Sequence, residues 1–229
     1  MAYEAQIAHK SIKGNGFANE PLVFIAGPGA PHGEQVIDQA IKQGAKGIVS
    51  LGICGGLDPQ LFSGHIVIPK EILQNDDKPI TYQNTQVDLA WRAALLPVIE
   101  KDYFVTSSPL LTVTDPVTSI TDKRKLHEQT GACAVDMESG KIAALAKAHG
   151  LPFIAVRVVG DVAGQSIPAA FDKVLKPNGE LSVFELIKGL VTKWPGLQAL
   201  KGLAKNDGEA RANLSGLTTL ALPNFKLPE

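Results

Sequence analysis

The chain has 229 residues, 22 Lys and Arg against 23 Asp and Glu, a formal charge of −1, and 45% hydrophobic residues. This supplies a sizeable core, excludes a compositionally disordered chain, and lacks the basic footprint of a nucleic-acid binder. Two cysteines, Cys54 and Cys133, exclude a disulfide scaffold and a four-cysteine zinc site, and the five histidines are scattered without ligand spacing, so no metal is expected.

Leu22–Ala26 is a short apolar run stopped by Gly27, Pro28 and Gly29, the pattern of a buried strand and turn. Glu34–Gln43 carries Val36, Ile37, Ala40 and Ile41 at helical spacing, with Gly44 as its stop. Gly47–Gly52 reads as a second strand, and Ile53–Gly56 as a glycine-rich turn. Strand, helix and strand in about 30 residues form a βαβ unit and favour a parallel sheet. His65–Pro69 reads as a strand. Glu71–Thr85 is polar and irregular. Ala90–Glu100 is weakly helical and interrupted by Pro97. Tyr103–Thr106 and Leu110–Thr114 are rich in β-formers, and Ser119–Thr130 reads as an exposed, charged helix. Ala134–Met137 is strand-like, and Glu138–His149 is an alanine-rich helix closed by Gly150 and Pro152. Phe153–Val159 is the clearest strand, and Ser182–Lys193 and Leu197–Leu214 read as two amphipathic helices. The expected architecture is a single α/β domain over residues 1–229: three α/β/α layers around a mixed, mostly parallel, twisted sheet. No run is long and apolar enough for a signal peptide or a membrane span, so a cytoplasmic protein without an integral membrane segment is expected.

Four constellations could carry chemistry. The glycines of residues 27–33 invite a dinucleotide reading, but the second strand ends in Gly52 with no ribose-binding carboxylate, and Pro28 and Pro31 remove two amide donors. A tight strand-to-helix turn explains those glycines, and a phosphate or ribose held by the remaining amides, with Gly27 and Gly29 as the candidates, stays open. The pair Gly55 and Gly56 at a strand's C-terminal end lets a flat ligand approach the backbone closely. Asp136 and Glu138 sit at the mouth of a helix, where a single carboxylate commonly offsets the dipole. Arg157, Val159 and Asp161 share one strand face by the period-two rule, so the buried arginine and carboxylate need partners. Arg157 is expected to pair with Asp136 or Glu138.

Gly55–Leu57, Asp136–Ser139 and Arg157–Asp161 occur in the order and spacing of the nucleoside phosphorylase and nucleosidase superfamily, which Val23–Ala163 resembles throughout. Ser50–Pro59 with Leu61 and Gly64, and the C-terminal residues 199–204 and 210–214, are most similar to its hopanoid-associated phosphorylase branch. The resemblance implies cleavage of a purine nucleoside at its N-glycosidic bond. The substrate would be adenosylhopane, giving adenine and ribosyl or phosphoribosyl hopane. A nucleosidase acting on methylthioadenosine or S-adenosylhomocysteine, and an inactive nucleoside-binding relative, are the alternatives.

By the same resemblance Asp161 protonates the purine at N7, and Glu4 occupies the place of the glutamate that activates water. Glu138 holds the ribose hydroxyls, Met137 packs on the sugar, and Ile53, Cys54, Gly55 and Asp136 complete the pocket. No cofactor is implied beyond inorganic phosphate as a co-substrate. Partners are a small nucleoside or adenosyl-lipid substrate, the latter bringing transient membrane association, and further copies of the chain in a dimer or higher oligomer. Two departures from the family are visible. Gly160 replaces the serine that precedes the aspartate. Met1–Ala8 begins where the family's first strand ends, so a truncated first strand is expected, with Glu4 just past it.

Overall fold

The structure is a computed structural model that describes residues 2–15, 21–27, 32–75, 82–167, 197–221, 225 and 227. In chain order the elements are α1 (Ala2–Asn15), α2 (Gly33–Lys42), β1 (Ile48–Gly56), β2 (Ile66–Val67), β3 (Glu71–Asn75) and β4 (Tyr82–Gln86). There follow α3 (Leu89–Ile99), β5 (Val105–Thr106), β6 (Leu110–Thr112), α4 (Ile120–Thr130), β7 (Ala134–Asp136), α5 (Ser139–Ala148), β8 (Phe153–Asp161) and α6 (Leu197–Ala221).

Among the described residues the strands form one sheet in the order β4-β3-β6-β7-β1-β8-β2-β5. The pairs β1–β8, β2–β5, β3–β6 and β6–β7 are parallel, and β1–β7, β2–β8 and β3–β4 are antiparallel. This is the mixed α/β sheet expected from the alternation of apolar runs. The central pair is longest, from Ile48 opposite Phe153 to Gly55 opposite Asp161. Its β8 strand is buried from Phe153 to Val159, as a strand covered on both faces should be. One group of helices, α5 with α2 against it, covers β1, β3, β6 and β8. The other is α6, lying on β8 and β1, with α1 and α3 packed on it.

Local chemistry fixes the helix limits. Asp88 caps α3 by accepting from the Trp91 amide at 2.8 Å, and Ser119 caps α4 by accepting from the Asp122 amide at 3.0 Å. Gly131 ends α4 in the left-handed conformation, φ 68°. In α3, Trp91, Leu95 and Ile99 form a buried i, i+4, i+8 stripe, and Pro97 falls in the last turn without breaking it.

Several expectations are corrected. Residues 2–15 form a helix rather than the end of a strand, because Ala5, Ala8 and Ile12 recur at helical spacing and bury against α6. Leu22–Ala26 is not a strand. It makes no ladder, and Leu22 and Ile25 are about half exposed, at 46% and 49%; an apolar run becomes a strand only where a partner edge receives it. Ile53–Gly56 is not a turn but the continuation of β1, with Gly55 and Gly56 paired to Val135 and Ala134. Among the described residues the positive-φ glycines lie elsewhere, at Gly27, Gly44, Gly64, Gly131 and Gly150. The polar stretch after Glu71 contains the hairpin strands β3 and β4. Its edge strand is polar because Gln83, Asn84 and Gln86 face solvent. The helix expected at Ser182–Lys193 lies outside the described residues, and α6 runs past Leu214 to Ala221.

Candidate active site

The site is built where β1, β7 and β8 end beside the N-terminus of α5. Arg157 is its electrostatic centre. Its side chain is 4% exposed, and Nε donates to Asp136 Oδ2 at 2.8 Å. Nη2 donates to Ser50 Oγ and Ser139 Oγ, both at 2.8 Å, and lies 3.6 Å from Glu138 Oε2. The expected pairing of Arg157 with Asp136 or Glu138 is thus a pairing with both. Asp136 is further held by the Thr112 hydroxyl, which donates to Oδ1 at 2.6 Å. Asp136 Oδ2 also accepts from the Ser139 amide at 3.2 Å, and the Thr112 hydroxyl accepts from the Gly140 amide at 2.8 Å. These two residues satisfy the first amides of α5, so Glu138, the residue before the helix, makes no cap of its own.

Glu4 reaches this cluster from α1. Its Oε1 accepts from the Ile53 amide at 3.0 Å. A Cβ on Gly52 would meet the Arg157 guanidinium and, at 2.9 Å, Glu4 Oε1, so glycine at that position lets the two side chains converge beside β1. Burial pushes Glu138 up to about 7, with Asp136 and Glu4 adding to the rise and Arg157 opposing it.

Asp161 lies apart from that cluster. At the end of β8 the register shifts: Cys54 opposes Val159 but Gly55 opposes Asp161, so Gly160 is the extra residue of a bulge. Cβ positions on Gly55 and Gly160 point at Asp161 and Ile53, whereas those on Gly52 and Gly56 point at Arg157 and Val159. By strand alternation Arg157 and Asp161 therefore occupy opposite faces, and the expectation of a shared face fails on the one-residue bulge. The Asp161 carboxylate bonds instead to the Lys123 ammonium, whose side chain is fully buried. Lys123 Nζ also donates to the carbonyls of Val162 at 2.9 Å and Gln165 at 2.8 Å. Burial raises Asp161 above the ordinary aspartate range, with Lys123 opposing.

The remaining expected site residues are placed as follows. Ile53 and Gly55 are half-buried on the Asp161 face. Cys54 points the other way into the core, and burial pushes its thiol well up. Met137 is half-buried between β7 and α5. Gly27 has φ 75°, and Gly29 lies outside the described residues. A separate cavity of about 470 Å³ lies between α2 and α5, lined by His32, Gln74 and Lys141 among others, away from these side chains. Among the described residues no group of three or more His, Cys, Asp or Glu could hold a metal ion, and no helix is long and apolar enough to cross a membrane.

Lys123 was missed by sequence reasoning. It sits in a run of charges, Asp122, Lys123, Arg124, Lys125, that reads as a solvated helix face. The available signal was positional, since Ser119 as N-cap and Leu126 fix which side of the helix faces inward.

The chain is similar to 5′-methylthioadenosine/S-adenosylhomocysteine nucleosidases. That of Marinomonas sp. is 27% identical over 162 residues, 62% of this chain and 69% of that protein. That of Mycobacterium bovis is 26% identical over 172 residues, 58% of this chain and 66% of that protein. Among solved structures, the Campylobacter jejuni nucleosidase of that name superposes with a TM-score of 0.66 at 14% identity, covering 96% of this chain and 95% of that one. The family model described as the phosphorylase superfamily matches residues 10–183. The chain therefore belongs to the phosphorylase superfamily, as an enzyme of the nucleoside phosphorylase and nucleosidase kind.

Proposed function

We propose that this enzyme hydrolyses the N-glycosidic bond of an adenosyl nucleoside and releases adenine. The observation that carries the reading is the convergence of Glu4, Glu138 and Arg157 beside β1, with Asp161 held across the same strand at Gly55. As the bond from C1′ to N9 breaks, its electron pair passes to the purine, which takes a proton at N7 from Asp161. Burial favours the protonated acid this step needs. Glu4 takes a proton from water as its oxygen bonds to C1′. The atoms of one water are added across the broken bond once exchange with solvent takes the proton from Glu4 and restores the one Asp161 gave. Glu138 accepts from the ribose hydroxyls, and its negative charge favours the cationic sugar of the transition state.

Water rather than phosphate is supported by Glu4, a carboxylate poised to take a proton, and by the names of the relatives. Phosphate recognition favours cationic donors, and the two buried cations beside the site are already engaged, Arg157 by Asp136 and Glu138 and Lys123 by Asp161 and two carbonyls. For the group on C5′, similarity of Ser50–Pro59 to the hopanoid-associated branch supports a hopanoid chain, and the relatives' names support methylthio or homocysteinyl groups.

The test is adenine release from 5′-methylthioadenosine, S-adenosylhomocysteine and adenosylhopane, each with and without phosphate. Release at a rate independent of phosphate is expected, lost in Glu4→Gln. No purine from any of the three overturns the reading, and strict dependence on phosphate overturns the choice of water.

A further inference from the structure

We infer that Lys123 is a positioning residue for Asp161, fixing the direction of its carboxylate and tying it to the segment that follows β8. This deepens the proposed function and rests on its assignment of Asp161.

The ammonium has three hydrogens and three acceptors: the Asp161 carboxylate, the Val162 carbonyl at 2.9 Å and the Gln165 carbonyl at 2.8 Å. Two acceptors belong to the chain just after β8, so a single side chain of α4 joins the strand end to residues 162–165. The Ile167 amide donates to the Thr118 carbonyl at 2.9 Å, a second tie from the same segment to the approach of α4. Lys123 itself is fully buried while the Asp161 side chain keeps 18% exposure. The lysine therefore stands behind the aspartate, and the aspartate faces outward. With Oδ2 held by Nζ and a backbone amide also on the carboxylate, the group has a fixed direction, and its exposed edge is the one that would meet a base. The bulge at Gly160 requires such a support, since it frees Asp161 from the alternation that would otherwise fix its direction.

The arrangement also sets when Asp161 carries a proton. Desolvation favours the neutral acid and the ammonium favours the carboxylate. Among the described residues the charged group facing Asp161 is Lys123 from α4; the Cys54 thiol, on the other face of β1, feels the aspartate's charge but is kept neutral by burial. Removing the lysine charge should therefore raise the pKa of Asp161. Activity that needs protonated Asp161 would then persist to higher pH, at a reduced maximal rate because the carboxyl is no longer aimed.

The experiment compares wild type, Lys123→Met and Lys123→Arg. In Lys123→Met, kcat should fall about 10–100-fold with a much smaller change in KM, and the alkaline limb of the rate profile should move up by about one pH unit or more. Lys123→Arg keeps the charge and should restore the wild-type limb. The titration of Asp161, followed by carbon-13 NMR of its carboxyl and assigned with Asp161→Asn, should show the same upward shift in Lys123→Met. In wild type a buried ammonium with three partners should give a slowly exchanging nitrogen-15 signal that is displaced in Asp161→Asn. An Asp161 titration unchanged in Lys123→Met overturns the proposal. Should Lys123→Met fail to fold, absence or indifference of the ammonium signal overturns it instead. If wild type releases no purine, the functional reading falls, while the two NMR measurements still decide the role of Lys123.

Discussion

Two buried cations flank the end of the β1–β8 pair, and they are loaded differently. Arg157 serves Asp136 directly, has Glu138 at 3.6 Å, and feels Glu4. Lys123 serves Asp161 alone and spends its other hydrogens on main-chain carbonyls. One guanidinium shared among three carboxylates leaves one of them short of charge, and Glu138 is the one lifted to about 7. A single ammonium on a single carboxylate instead gives a fixed direction. The Arg157 side is suited to gathering groups around a sugar, and the Lys123 side to aiming one group at a base.

The most severe way to break this division is Asp161→Asn, which keeps the shape at the Lys123 side and removes the proton. Adenine release should fall on the order of 10²–10⁴-fold, and the melting temperature should fall too, because the buried Lys123 ammonium loses its counter-charge; steady-state rates on protein shown to be folded by a thermal melt separate the two effects. The complementary break is Arg157→Met. Removing one partner of a buried ion pair costs about 3–5 kcal/mol, and here several carboxylates are stranded together. Denaturant unfolding should show a larger loss for Arg157→Met than for Lys123→Met. Equal losses would mean that the two cations carry equal loads.

The sheet was legible where apolar residues run together, as in β1 and β8, and the helices where a cap or a glycine stop marks them, as at Ser119 and Gly131. The Arg157 cluster was legible too, because a buried arginine on a strand must find carboxylates, and Asp136 and Glu138 were at hand. The Lys123 pair was not. Period-two reasoning put Asp161 on the Arg157 face, and only pairing with β1 reveals that Gly160 is an extra residue. Charge runs on helices are usually solvated, so nothing in residues 122–125 singled out the second of them. The strand expected at Leu22–Ala26 failed for a related reason: composition reports an apolar segment but not the edge that would receive it.

Gly160 offers a finer probe of the Lys123 side. A Cβ there would meet Ile53 Cγ2 at 2.8 Å, so serine at this position, usual in the family the sequence resembles, has no room beside Ile53. Gly160→Ser should destabilise by about 1–3 kcal/mol through overpacking, and Ile53→Ala should relieve most of that loss. A double-mutant cycle on unfolding free energy measures the coupling. Additive effects would show that the bulge, rather than Ile53, requires glycine.

The smallest effect tests the Arg157 side through pH. Glu138 has an ordinary value of 4.5 and is raised to about 7 in the folded protein, first by burial and then by Asp136 and Glu4. Between those values the folded state holds a proton that the unfolded state has released. Stability contributed by this group is therefore full below 4.5, falls as pH rises towards about 7, and is flat above. Glu138→Gln removes the titration. Relative to wild type it should gain stability as pH climbs through that window, by on the order of 1–2 kcal/mol once solvent at the partly exposed carboxylate is allowed for. Activity should move the other way. If Glu138 holds the sugar as proposed, only its carboxylate form would accept from both ribose hydroxyls, so the wild-type KM should improve as pH rises through about 7. That dependence should vanish in Glu138→Gln and be weaker for a 2′-deoxynucleoside. Unfolding and KM profiles that are parallel in the two proteins would show that Glu138 does not carry the uncompensated charge of the cluster.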